Sequence, residues 1–307
     1  MSPQEPAPRN VKARRSVART LGRLAVRLSV FCIILALGLL IVLYAFQTRM
    51  IFPGAATQGT AGAVVEPRAG TELVRLATAR GDRVLALFGP ALTAEGRPHP
   101  DAPQRPTLLY FYGNGSCLRD AADYDLPRFR RLGVNVLIPD YVGYGMSGGL
   151  PSETGCYETA DAVYEHLRAR RDVDPQKIVA VGRSLGGAVA IDLAARRRLA
   201  GLVVFSTFTR MTDMARRQFP ILPVSLLLRH RFDSLSKIGR VTCPILIGHG
   251  RIDRVVPHGM AALLAAAAKT PVTAFSVDGA DHNDLEMIDD DQVSGALRTF
   301  LDAIGED

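Results

Sequence analysis

Residues 177–196 read KIVAVGRSLGGAVAIDLAAR, and this stretch decides the fold. It opens at 178–181 with a short, apolar, β-branched-rich run of strand length. An Ala/Leu/Ile run of helical length and pattern follows over 185–197. Between them lies Gly182-Arg183-Ser184-Leu185-Gly186-Gly187. Small residues around Ser184 let the chain turn sharply, pushing the hydroxyl out over the end of a sheet. The same turn aims the free N–H groups of the new helix at whatever the serine attacks. A second stretch, Gly145-Met146-Ser147-Gly148-Gly149, fits the same Gly-x-Ser-x-Gly spacing. It runs into Leu150-Pro151, where no helix can begin at the serine, so Ser147 reads as a loop residue.

Around this unit the chain alternates. Strands are expected at 107–112, 134–139, 178–181, 202–206, 245–248 and 272–277, preceded by a hairpin from 73–79 and 84–88. Helices are expected near 118–132, 157–170, 185–197, 258–268 and 285–304. Near-continuously apolar strands separated by helices imply an α/β fold with a mostly parallel central sheet covered on both faces. The segment 207–237 breaks the rhythm. It mixes Met211, Met214, Phe219, Ile221 and Leu222 with Arg210, Arg216 and Arg217, and is expected to form a short cap shaping an acyl pocket, with Phe208 at its start. A surface connection is the alternative.

Charge and hydropathy divide the chain. Residues 1–27 hold seven Lys or Arg against one acid, so six of the seven net positive charges lie there. The folded part is nearly neutral, which gives no support for nucleic-acid binding. Residues 28–46, LSVFCIILALGLLIVLYAF, carry no charge over 19 positions, about 28 Å as a helix and close to a hydrocarbon core. The expected organisation is a basic tail (1–27), a transmembrane signal anchor (28–46), a linker (47–70) and a catalytic domain (71–305). The charge bias keeps the N-terminus cytoplasmic, and the Arg- and Ala-rich composition suggests a bacterial, periplasmic setting for the domain. Cys117 and Cys156 precede predicted helices after neighbouring predicted strands, so a disulfide between them is open, as is a pair of free thiols. No phosphate loop, nucleotide fingerprint or metal-ligand spacing is present, and no cofactor is implied.

A serine needs a base to take its proton and a carboxylate to orient that base. Asp253 follows the strand at 245–248, and His282 follows the strand at 272–277, in the order Ser, acid, His. Oxyanion donors are expected from the backbone N–H of Leu185 and of Asn114, in the loop Tyr112-Gly113-Asn114-Gly115-Ser116. On these residues, with Ile51-Phe52-Pro53, residues 140–148, His249-Gly250, Val256-Pro257 and Gly279 with His282-Asn283, the chain resembles the α/β-hydrolase superfamily. Within it, the likeness is to the membrane-anchored group of fungal Bem46-like proteins and the α/β-hydrolase domain-containing types 13 and 17, with a serine aminopeptidase-like domain.

The resemblance implies a Ser184–His282–Asp253 triad hydrolysing an ester, thioester or amide. A lipid-like acyl substrate suits an enzyme tethered at a bilayer. An aminopeptidase-like peptidase and a catalytically silent anchored scaffold are the alternatives. Two positions depart from the family pattern: Tyr112 stands where a histidine is usual, and Arg183 precedes the serine where His or Tyr is frequent. Both are expected to border the substrate pocket, Arg183 either drawing anionic substrates or pairing with a nearby acid.

Overall fold

The computed structural model describes residues 9–305 except residue 69, so residues 1–8 of the basic tail lie outside the described residues. Two units are distinguished, one ending at Gln47 and the other running from Thr48 onward. The first consists of most of helix α1 (Arg9–Ile51). Within Leu21–Ile51 an 18-residue stretch reaches a mean hydropathy of 2.8, and most of the large apolar side chains of this part of the helix, Phe31, Leu35 and Ile41 among them, are exposed. By length and composition it can cross a membrane.

The second unit is built on an eight-stranded sheet: β1 (Glu72–Ala77), β2 (Arg83–Gly89), β3 (Thr107–Phe111), β4 (Asn135–Pro139), β5 (Ile178–Arg183), β6 (Gly201–Phe205), β7 (Ile245–Gly250) and β8 (Val272–Val277). The spatial order is β1-β2-β4-β3-β5-β6-β7-β8. The β1–β2 and β2–β4 pairings are antiparallel and the rest parallel. This is the mostly parallel α/β sheet expected from the alternating pattern, in the α/β-hydrolase arrangement that the resemblance implies. Every residue of β3, β4, β6 and β7 is buried, while the edge strands β1 and β8 keep exposed positions. Strands covered on two faces have no polar face to show, which is why their sequences lack alternation.

The helices are α2 (Leu118–Asp123), α3 (Asp125–Arg130), α4 (Glu153–Ala169), α5 (Leu185–Ala194), α6 (Met211–Gln218), α7 (Val224–Leu227), α8 (Ser234–Ile238), α9 (Gly259–Ala267), α10 (Leu285–Ile288) and α11 (Asp290–Gly305). Two expected helices are each split. The one near 118–132 breaks at Tyr124, where Asp125 opens a new first turn and Pro127 sits where no intrahelical N–H is needed. The C-terminal one breaks at Asp289, which leaves the helical conformation.

From β3 the chain crosses to β4 on one side and returns to β5 on the other. The crevice outside the carboxyl ends of β3 and β5 is thus the switch point at which open α/β sheets bind ligands. The Tyr112–Ser116 loop and Ser184 both sit there.

Candidate active site

The turn after β5 is steric in origin. Ser184 has φ +52° and ψ −117°, a conformation that L-residues adopt only when their surroundings enforce it. Here the enforcement is backbone packing. A Cβ at Gly186 would fall 1.9 Å from the Phe111 carbonyl oxygen, and one at Gly182 would fall 2.2 Å from the Gly186 oxygen. Only glycine lets α5 tuck against the end of β3. The Ser184 N–H donates to the Phe205 carbonyl at 2.9 Å, and the Ser184 carbonyl accepts from the Thr207 hydroxyl at 2.8 Å. The serine backbone is therefore held on both sides while its side chain stays at the crevice.

Three side chains from separate loops meet there. His282 Nε2 lies 3.0 Å from Ser184 Oγ, and His282 Nδ1 lies 2.8 Å from Asp253 Oδ2. The other carboxylate oxygen, Oδ1, accepts the N–H groups of Val255 and Val256 at 2.9 and 2.7 Å. Burial alone would raise the Asp253 carboxyl, but hydrogen bonds from His249 and His282, joined by the electrostatic pull of the His282 ring, hold it well below the usual carboxylate range. With an ionised acceptor at Nδ1, the imidazole carries its proton there and offers Nε2 as a base toward the serine, a tautomer assigned from the hydrogen-bond network.

The acid has a second histidine that the sequence reading set aside. His249, at the end of β7, places Nε2 3.2 Å from Asp253 Oδ2 and 3.0 Å from the Val256 carbonyl. Its position four residues before Asp253 was the available signal. Ser147, the competing serine, donates to the Asp140 carbonyl at 2.9 Å and accepts the Leu85 N–H at 3.0 Å, so its hydroxyl is used in joining loop to strand.

A cavity of about 410 Å³ opens at Ser184, lined by Tyr110, Tyr112, Asn114, Ser116, Asp125, Arg183 and His282 with neighbouring backbone. Asn114 and Leu185 flank it, one after β3 and one at the start of α5, and neither backbone N–H has a backbone partner among the described residues. Tyr112 donates its hydroxyl to Asp140 Oδ1 at 2.8 Å, so the tyrosine ties this loop to a buried carboxylate. Arg183 answers its own alternative. It pairs with Glu286 at 3.0 Å and donates to the His282 carbonyl at 3.0 Å, which braces the histidine loop. Asp125, also on the wall, is raised to about 6 by burial, against the opposing pull of Arg183.

One expectation is corrected, and of the two alternatives left open at Cys117 and Cys156 the structure has the free thiols. None of the residues lining this cavity comes from 207–237, and Phe208 packs in the hydrophobic core, 3% exposed. That segment forms α6, α7 and the start of α8 without walling the serine. Cys117 and Cys156 are free, buried thiols and no disulfide joins them. Cys117 caps α2, its sulfur 3.5 Å from Asp120 Oδ2, while Cys156 is buried in α4. Among the described residues, no group of three or more His, Cys, Asp and Glu could hold a metal ion.

Comparison with known proteins agrees with this architecture. Residues 110–236 match the Alpha/beta hydrolase family. The chain is 34% identical over 269 residues to an uncharacterised Mycobacterium tuberculosis protein, covering 87% of this chain and 92% of the other. It is 34% identical over 212 residues to alpha/beta hydrolase domain-containing protein 17B of Xenopus tropicalis, covering 68% of each. A Pyrococcus furiosus esterase superposes with a TM-score of 0.62 at 18% identity, over 78% of this chain and 95% of that one. A puromycin-hydrolyzing peptidase of Mycobacterium tuberculosis gives 0.61 at 19% identity, over 78% of this chain and 39% of that one. The protein is a hydrolase of the α/β class. It belongs to the alpha/beta hydrolase family, and within that family it is similar to the 17B-type proteins.

Proposed function

We propose that the protein is a membrane-anchored serine hydrolase that cleaves a carboxylic ester or thioester through an acyl-enzyme. The observation that carries this reading is the continuous relay from Ser184 Oγ through His282 to Asp253, at 3.0 and 2.8 Å. In the first half-reaction Ser184 Oγ bonds to the acyl carbon while its proton passes to His282 Nε2. The carbonyl electron pair moves to the oxygen, where the N–H groups of Asn114 and Leu185 receive the charge. Collapse expels the alcohol or thiol, which takes the proton from His282. Water then repeats the sequence, releasing the acid and restoring Ser184. Asp253 remains ionised throughout and stabilises the imidazolium.

The exposed apolar stretch of α1 favours anchoring, and the excess of basic residues before it favours a cytoplasmic N-terminus with the hydrolase unit on the far side. An acyl or lipid-like substrate suits that setting. One observation supports a second reading as an aminopeptidase-like enzyme. Asp125 puts a carboxyl on the cavity wall with no ion pair among the described residues, a group that suits the ammonium of an amine-bearing substrate. Hydrolysis of p-nitrophenyl esters of increasing acyl length, beside aminoacyl anilides, separates the two. Ester turnover lost in Ser184→Ala is the expected result; full ester turnover by that variant would end the proposal.

A further inference from the structure

The loop that carries Asn114 is held from an unexpected direction. Helix α1 ends at Ile51, where its last carbonyls have no intrahelical donor. Asn114 Nδ2 donates to the Ile51 carbonyl at 2.8 Å. Three residues on, the Gly54 N–H donates to the Asn114 carbonyl at 2.9 Å, and the Tyr144 hydroxyl donates to the same oxygen at 3.0 Å. Both the side chain and the carbonyl of Asn114 are thus committed to this frame, while its N–H has no backbone partner among the described residues.

The approach is close enough to exclude any side chain at Gly54. A Cβ there would fall 2.4 Å from the Tyr144 ring, 2.6 Å from the Ser116 carbonyl and 2.8 Å from the Asn114 carbonyl. Phe52, 1% exposed, packs edge-on against Tyr144 and His230 with ring centres 6.5 and 5.1 Å apart. Thr48 Oγ1 meets His230 Nε2 at 3.2 Å. Beyond the turn, the Thr57 hydroxyl donates to the Gly54 carbonyl at 2.6 Å and accepts the Gly145 N–H at 3.1 Å. The turn is consequently fixed to the 140–147 loop as well, the loop whose Asp140 holds Tyr112.

We propose that the 48–54 turn is a positioning element of the active site: by having its terminal helix carbonyl capped by the Asn114 side chain, it sets the Asn114 N–H for the oxyanion without touching substrate. The proposal rests on the serine-hydrolase reading above. It makes the last turn of the apolar helix part of the catalytic unit. Release of the hydrolase from its helix by cleavage after Gly54 removes this support.

The test uses the full chain in detergent micelles with a neutral p-nitrophenyl ester and an alkyl boronic acid, which forms a tetrahedral adduct on an activated serine. Gly54→Ala forces the turn away from the loop. Asn114→Leu keeps the backbone N–H and the side-chain size but deletes the donor to Ile51, and it decides the matter if Gly54→Ala does not fold. Gly62→Ala, where a Cβ meets nothing within 4 Å, is the control in the same segment. Expected in both test variants is a fall in kcat of roughly 10- to 100-fold with KM within about twofold, boronate affinity falling in step. The control keeps wild-type kcat. A folded Asn114→Leu with kcat within about twofold of wild type overturns the proposal, as does a loss confined to KM with boronate affinity unchanged. If instead the wild type neither binds boronate nor loses turnover on Ser184→Ala, the nucleophile reading fails, and this proposal with it.

Discussion

Two turns in this molecule share the spacing Gly-x-Ser-x-Gly, and they do opposite things with it. At Ser147 the glycines let a loop fold back on a strand, and the hydroxyl is consumed by the Leu85 N–H and the Asp140 carbonyl. At Ser184 the glycines let a helix start against β3, the backbone is strained at φ +52°, and the hydroxyl faces an imidazole. Each turn also has its aspartate. Asp140 accepts from Tyr112 and from the N–H groups of Leu118 and Met146, all groups that stay put. Asp253 accepts from a histidine that can take up a proton. A spacing supplies only the turn; the chemistry depends on whether the hydroxyl is left with a movable-proton partner or satisfied by backbone.

The largest expected break of this contrast is at the acid. Asp253→Asn replaces the ionised acceptor with an amide that can stabilise the wrong imidazole tautomer, and kcat for ester hydrolysis should fall about 10³- to 10⁴-fold with the fold intact. Next comes Ser147→Ala. It leaves the Leu85 N–H and the Asp140 carbonyl short of a partner, so the expected outcome is a stability loss of about 1–3 kcal/mol in denaturant titration. Activity per folded molecule should stay close to wild type.

An effect of similar size and opposite sign is expected at Asp125, which faces Arg183, Glu286, Tyr110 and Arg128. Its carboxyl is raised to about 6 in the folded chain, so folding takes up a proton as pH falls from about 6 to the ordinary carboxylate range. The burial cost is therefore full above pH 6 and vanishes near pH 4. Asp125→Asn should stabilise the protein on the order of 2 kcal/mol at pH 8, with the advantage gone at pH 4. Equal denaturant midpoints for the two proteins at pH 8 would contradict this.

How much of this was legible in the chain depends on the range of the contact. The sheet could be read because buried strands such as β5 and β7 have uniform apolar runs. Ser184 and Asp253 each follow such a run, and His282 follows the edge strand β8, whose sequence mixes Val272, Phe275 and Val277 with Thr273 and Ser276. What escaped the reading depended on tertiary contacts between distant residues. The Asn114 bond to Ile51 joins residues 63 positions apart and has no local pattern. The 207–237 segment has the composition of a pocket wall, yet Met211 and Met214 pack against the core while Ile221 and Leu226 are exposed, because composition does not say which surface a segment covers. His249 follows the expected strand at 245–248, and its spacing of four residues from Asp253 does not by itself show that the intervening turn brings the two side chains together. Cys117 and Cys156 sit at plausible loop ends, but one caps a helix and the other is buried in one.

The most direct test of the central claim is labelling by a fluorophosphonate probe, which reacts only with a serine whose proton can be withdrawn. Wild type, Ser184→Ala and Ser147→Ala would be compared in detergent, with folding checked by thermal melting. The expected result is labelling of the wild type and of Ser147→Ala, and none of Ser184→Ala. Labelling that survives in folded Ser184→Ala, or a folded wild type that is not labelled at all, would contradict the assignment of Ser184 as the activated nucleophile.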